Sequence, residues 1–377
     1  MPRRYESLDG LRGISAIAVV LFHITWSNHI TETHLIRELY VFVDLFFILS
    51  GFVITKAYST RVHTLREAGS FLALRFFRIY PLHILLVFIL CEMAKIPAIY
   101  LGLAVHPFDD AKGWALVSNL FLVHSLTFSS EFPTWNVPSW SISCEMVAYV
   151  VFAVIAWTGL MNRRQLVYFA TLLAAGFYTI VLYYKGSLFA LLDFGLLRCL
   201  AGFCVGVAVS TISESPLAKI PTAIYNASIG ILTTIAIAVL SLLNGVFDIV
   251  IVPIFGLLVL LLQTDSGLPA RILRSTPIAF LGQISYSIYM VHWLLLLLAT
   301  TGLKYVTKTP LYDGMYKANL LLGDLGAILM LMLIVLVASI TYRNIEAPWR
   351  SFGRRTLTLY TEAGVADRQI SNRAFPV

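Results

Sequence analysis

The stretch LLLGDLGAILMLMLIVLVASITY, residues 320–342, decides the fold class. It carries a single charged residue, Asp324. At about 1.5 Å per residue a helix of this length crosses a hydrocarbon core roughly 30 Å thick. Similar apolar runs fill the chain at 11–29, 38–57, 78–96, 141–160, 165–184, 188–211, 221–243, 246–263 and 277–300. With 320–342 they predict about ten transmembrane helices. A further run, 114–128, is short, carries Asn119 and His124, and leads into the Pro-rich stretch 129–140.

The composition points the same way. Of 377 residues, 59% are hydrophobic and 12% charged, against about 45–50% and about 25% in soluble domains. Mean hydropathy is +0.83. A water-soluble surface cannot be built from such material. The runs exceed the roughly ten residues of a barrel strand, and no internal repeat or low-complexity tract is visible. The class is therefore an all-α polytopic membrane protein. The net charge of +7 reads as a topology signal and not as nucleic-acid affinity. The cysteines Cys91, Cys144, Cys199 and Cys204 form no CxxC and lie in or beside apolar runs, so neither disulfide nor metal is expected. The basic then apolar N-terminus lacks a small-residue cleavage site and reads as a retained first span.

Charge settles the expected sidedness. With a cytoplasmic N-terminus and 114–128 not crossing, 19 Lys and Arg fall inside and 7 outside, with Arg198 within a span. Letting 114–128 cross would move Arg163, Arg164 and the basic C-terminus outside. The expectation is ten spans, both termini cytoplasmic, and 114–128 as a short re-entrant or interfacial helix. One transmembrane domain covers 1–350, and 351–377 forms a short cytoplasmic tail.

Ionisable residues within spans are costly and mark function. Counting along the helices puts His23 about 16 Å above the inner face, Asp44 about 9 Å and Glu145 about 7 Å below the outer one, Arg198 about 16 Å below it, and His292 about 22 Å above the inner face. Five spans are thus expected to contribute one such group each at similar depth, facing one another or a wet cavity. Structural alternatives stand beside this: His23 bonding a neighbouring helix, Arg198 paired with Asp193 or Asp44, and His292 as an interfacial anchor.

The loop 58–80 carries Arg75 and Arg78 in RFFRIYP (75–81). At i and i+3 the two guanidiniums share a helix face and suit phosphate or carboxylate oxygens. A topogenic or lipid-headgroup anchor is the other reading. GxSxG, HExxH, Walker A and GxGxxG signatures are absent from the sequence. Gly202 and Gly206 form a helix-packing pattern.

Six blocks in order, from residue 5 to 348, resemble the bacterial membrane acyltransferase-3 family, the carbohydrate O-acyltransferases. RYESLDGLRGISAIAVVLFHI (4–24) supplies Arg12 and, after ten residues, His23. VFVDLFFILSGFVI (41–54) supplies Asp44, and RFFRIYP supplies Arg75 and Arg78. PSWSISCEMVAYV (138–150) is similar to a Trp–Ser–x–x–x–Glu block and supplies Trp140, Ser141, Glu145 and Tyr149. LGQISYSIYMVH (281–292) supplies Ser285, Tyr286, Tyr289 and His292, and NIEAP (344–348) closes the series. One departure is Met146, where the family often has a second acidic residue. Some relatives carry a soluble hydrolase-like domain after the last span; this chain, ending in a short tail, is expected to act without one.

The resemblance implies transfer of an acyl group, acetyl first, from cytoplasmic acetyl-CoA (acyl-CoA) to a hydroxyl of an extracytoplasmic or lipid-linked carbohydrate. His23 is then the general base, with Asp44 or Glu145 orienting it. Arg12, Arg75 and Arg78 hold the CoA phosphates. Tyr286, Tyr289 or Arg198 stabilises the oxyanion, and Trp140, Tyr149 and Tyr286 stack on sugar faces. Ser285 and His292 complete the acceptor side. A covalent acyl-histidine at His23 is the variant. No metal is implied. The expected setting is the bacterial inner membrane, with lipid and a glycan as partners and no nucleic acid. The rival class is a proton-coupled transporter or flippase, since buried His, Asp, Glu and Arg also build proton relays; no inverted repeat supports it.

Overall fold

A computed structural model describes residues 4–101, 114–126, 136–159, 163–191, 193–212, 214–217, 219–307 and 320–357. The expected tail beyond 357, most of 129–140 and the loop cations Lys112, Lys308 and Lys317 lie outside the described residues. The described chain is helical, and each of the ten apolar runs carries a helix. We label them α1 (Glu6–His23), α2 (Phe42–Tyr58), α3 (Leu65–Leu101), α4 (Trp114–Leu120), α5 (Trp140–Thr158), α6 (Arg163–Lys185), α7 (Gly195–Ser210), α8 (Thr222–Leu242), α9 (Ile251–Leu262), α10 (Thr276–Gln283), α11 (Ser285–Thr307) and α12 (Leu320–Thr341).

By length and apolarity, seven described helices can cross a membrane, or eight if the bent pair α10–α11 counts as one span. The count of about ten is not reached on this criterion. α1 carries Glu6, Asp9 and Arg12 within its 18 residues, and α7 has only 16. The expected single span 277–300 is broken: α10 and α11 meet at 71°. Ser285 Oγ donates to the Gly282 carbonyl (2.9 Å) at the break, giving the end of α10 a side-chain partner. α4 has seven residues, about 10 Å of helix, too short to span.

The loop expected at 58–80 is mostly helix. α3 starts at Leu65, so Arg75 and Arg78 stand about three turns inside it. The reason is a capping box: the Glu67 amide donates to Thr64 Oγ1 (3.2 Å), while the amides of Thr64 and His63 donate to the Glu67 carboxylate (3.0 and 2.9 Å). Thr64-Leu65-Arg66-Glu67 carries that pattern in the sequence.

Two close helix contacts frame the interior. A Cβ on Gly206 of α7 would stand 2.0 Å from the Ile48 carbonyl oxygen of α2, and one on Gly51 of α2 would stand 2.1 Å from that of Phe203. Only glycine lets these backbones meet. The same holds for Gly13 of α1 against Gly282 of α10, at 2.5 Å from its nitrogen. Long apolar side chains on α6, α8 and α12 point outward instead, among them Tyr183, Ile231 and Leu321, as lipid-facing surfaces do.

Candidate active site

Two cavities share one wall. The larger, of ≈ 740 Å³, opens at the end of the bundle that carries the N-terminus of α1 and the C-terminus of α2. Eight cations line it: Arg4, Arg12, Lys56, Arg61, Arg75, Arg78, Arg350 and Arg354, with Asp9 as the acid. The smaller, of ≈ 80 Å³, reaches inward between α2, α3, α5 and α11, and ends among Phe46, Ser141, Glu145 and Tyr289. Arg12, Arg75 and Arg78 line both. They form the neck of one passage from a basic mouth to a narrow interior. Arg75 is held by Tyr58, which accepts a hydrogen bond from Nη2 (3.0 Å) and lies under the guanidinium at 5.3 Å. Arg12 pairs with Asp9 at 3.4 Å.

Glu145 sits inside this passage. Ser50 and Tyr149 both donate to its Oε1, each at 2.5 Å. Ser50 lies six residues further along α2 than Asp44, about 9 Å nearer the mouth. Glu145 therefore does not share the depth of Asp44. The count from Trp140 fails because Trp140 is no interfacial residue: it is 3% exposed and lies under the Arg198 guanidinium at 5.8 Å.

Asp44 and Arg198 form a separate, closed network. Arg198 Nη2 and Nε contact Asp44 Oδ2 at 2.6 and 3.0 Å. Two further guanidinium donors go to the carbonyls of Tyr40 (3.1 Å) and Ala190 (3.4 Å). Tyr178 donates to Asp44 Oδ1 (3.0 Å). Asp193, the other candidate partner, pairs with Lys185 at 2.5 Å.

The histidines make a third group. The rings of His23 and His292 lie 5.0 Å apart, with Trp293 at 5.7 Å from His23 and Tyr289 at 5.9 Å from His292. His23 Nδ1 donates to the Val19 carbonyl (2.8 Å), which leaves Nε2 as the basic nitrogen. Neither Asp44 nor Glu145 bonds His23: a backbone carbonyl fixes its tautomer instead of a carboxylate. His23 lines neither cavity; it stands beyond Tyr289 and His292 from the narrow interior.

A family model described as an acyltransferase domain matches residues 5–343. The chain belongs to the acyltransferase-3 family. It is 29% identical over 324 residues to the acyltransferase MdmB of Streptomyces mycarofaciens, covering 78% of this chain and 79% of that one. It is 34% identical over 181 residues to protein 2 in the picA locus of Rhizobium radiobacter (44% and 88%). It is 24% identical over 385 residues to the peptidoglycan O-acetyltransferase OatA of Listeria monocytogenes (93% and 57%). No solved structure matches. This protein is a multi-pass membrane acyltransferase related to O-acetyltransferases.

In this acyltransferase several expected roles find their atoms already engaged. Tyr286 donates to the Ile79 carbonyl (2.5 Å), and Tyr289 to that of Pro138 (2.9 Å), with Ser141 at 2.7 Å. Arg198 is enclosed by Asp44. Tyr286 and Tyr289 have each spent their one O–H, and Arg198 has committed four of its five N–H groups. Trp140 is buried against Phe47, while Tyr149 packs on Phe71 and lines the narrow cavity. Ser285 caps α10. Among the described residues no group of three or more His, Cys, Asp or Glu is placed to hold a metal.

Other residues of the acyltransferase escaped sequence reading. Ser50 and Tyr58 carry no ionisable flag. Arg4, Lys56, Arg61, Arg350 and Arg354 converge only when three helix ends meet. His83 lies inside the apolar run 78–96 and meets the same criterion that singled out His23; it belongs to none of the six blocks.

Proposed function

We propose that this acyltransferase moves an acyl group, most readily acetyl, from cytoplasmic acyl-CoA to a hydroxyl of an extracytoplasmic or lipid-linked carbohydrate. The observation that carries this reading is the passage with its cationic mouth. Eight cations against one carboxylate suit the phosphates of a CoA nucleotide, and the mouth's volume falls in the range of small-molecule sites. The narrow interior suits a thin chain such as pantetheine. The relative named as a peptidoglycan O-acetyltransferase supports a glycan acceptor and an acetyl donor.

In this proposal His23 is the general base. Its Nε2 takes the acceptor hydroxyl proton as that oxygen attacks the thioester carbonyl. The carbon–sulfur bond breaks, and the imidazolium returns the proton to the leaving CoA sulfur, giving an ester and a free thiol. The Val19 carbonyl supplies the orientation that a carboxylate supplies in other triads. His292 beside it supports a second reading, a covalent acyl-histidine at His23. Residues 1–350 act as one domain in the inner membrane, with both termini and the segment 351–377 cytoplasmic.

The test is thiol release from acetyl-CoA by the protein in lipid nanodiscs, with and without glycan extracts. Release that needs both glycan and His23 supports transfer. Release with His23 but no glycan, together with an acetyl adduct on a His23 peptide, supports the covalent route. No release with any short acyl-CoA overturns the reading.

A further inference from the structure

On the other side of the Pro138–Ser141 turn from the narrow cavity lies a second polar cluster, with no part in the mechanism above. The rings of His83 (α3) and His124 stack at 5.5 Å with 9° between their planes. His83 Nε2 donates to the Asn119 carbonyl (3.1 Å) and His124 Nε2 to that of Ser139 (3.0 Å). Asn136 Nδ2 donates to the Met290 carbonyl (3.3 Å). Ser139 Oγ donates to the Asn136 carbonyl (2.6 Å), and the Ser125 amide donates to Ser143 Oγ (3.3 Å).

Those bonds leave His83 Nδ1, His124 Nδ1, Asn136 Oδ1 and Ser125 Oγ buried without a partner. All four residues are at most 5% exposed. With its N–H spent on the Asn119 carbonyl, His83 Nδ1 is a bare lone pair, as is Asn136 Oδ1. Each such orphan costs about 1–3 kcal/mol, and native interiors rarely keep several together. Two bare acceptors and one hydroxyl, which can accept as well as donate, suit O–H donors. Among the described residues bonded into this cluster there is no charged side chain, so phosphate and carboxylate find no cation to pair with and an ammonium no counter-charge.

The wall between cluster and passage is thin. The Pro138 carbonyl accepts from Tyr289 and Ser141, both lining the narrow cavity, while the neighbouring Ser139 carbonyl accepts from His124. We propose that His83, His124, Ser125 and Asn136 form a binding subsite for neutral hydroxyl groups of the acceptor, set against the inner end of the donor passage. The assignment to the acceptor rests on the carbohydrate reading above; the affinity for neutral hydroxyls does not.

The test uses the full chain in nanodiscs with ring-15N-labelled histidine. It is titrated with methyl β-glucopyranoside, methyl β-N-acetylglucosaminide and, as the control without O–H groups, permethylated glucoside. The Nδ1 resonances of His83 and His124, assigned with His83→Gln and His124→Gln, move toward the hydrogen-bonded position with the two glycosides and stay with the control. No movement, or equal movement with the permethylated sugar, overturns the proposal and leaves ordered water as the occupant. In the transfer assay His83→Gln, His124→Gln and Asn136→Leu each raise the glycoside KM about tenfold, the loss of one hydrogen bond. Retained acetyl-CoA binding shows that they fold. Glycoside-dependent shifts without any glycoside-dependent thiol release would remove the carbohydrate-transfer reading and keep the subsite.

Discussion

Arg198 and Asp44, 154 residues apart in sequence, form an ion pair of 2.6 Å at 1% and 0% side-chain exposure. Every Arg198 contact given above goes to Asp44, a backbone carbonyl or an aromatic face. The pair joins α2 to α7 at a level where neither charge can reach water.

Removing one partner leaves the other charge buried and alone, at about 3–5 kcal/mol. Asp44→Asn or Arg198→Met is therefore expected to lower the thermal midpoint in detergent sharply. The double variant is expected to be less destabilised than the sum of the two. Additive losses in that cycle would mean the ions do not interact.

His23→Gln is expected to leave the thermal midpoint within a degree or so of wild type, because its one hydrogen bond inside α1 is replaceable, while acyl transfer falls by about 10²–10⁴. His292→Asn, next to it, is expected to fall less. A His23 variant that keeps near-normal thiol release into glycan would remove the histidine from the chemistry.

Arg75→Ala and Arg78→Ala are each expected to raise the KM for acetyl-CoA by about 10–100-fold, the worth of one charge-assisted hydrogen bond at about 1.5–3 kcal/mol. The increase should shrink for an analogue lacking the nucleotide 3′-phosphate. Arg78→Lys recovers part of the loss, since a point charge lacks the bidentate fork. Equal KM values for variant and wild type would turn both residues into lipid anchors.

Gly206→Leu is expected to abolish assembly. Its Cβ would lie 2.0 Å from the Ile48 carbonyl oxygen and 2.6 Å from the Phe52 nitrogen, and neither backbone can yield without parting α2 from α7. Gly230→Ala on α8, where a Cβ meets nothing within 4 Å, is expected to be neutral. Size-exclusion profiles of the two variants separate the cases.

The candidate site residues were legible because they are of rare types for their setting. His23, Asp44, Glu145, Arg198 and His292 are ionisable groups in apolar runs, and Arg75 with Arg78 is a basic pair beside one. Their grouping was not legible. Depth counted along each helix needs an origin, and Trp140 is a poor one because its helix starts deep within the bundle. Glu145 thus moved from the supposed cluster to the passage, while Asp44 moved to a structural pair. The capping box at Thr64 and Glu67 was visible in the sequence and extends α3 downward, which makes the arginine pair helical.

By itself the sequence determined the class: long apolar runs with few charges can only satisfy their backbone as helices in lipid, and the ordered motif blocks carry the family. Which polar side chains meet was left to tertiary structure. Partners here are separated by as many as 154 residues and chosen by packing, through contacts such as Gly206 against Ile48 and the bend between α10 and α11. Hydrogen bonds then decide each setting: polar residues in apolar runs become a closed ion pair at Asp44, a lined passage at Glu145, and an unpaired lone pair at His83.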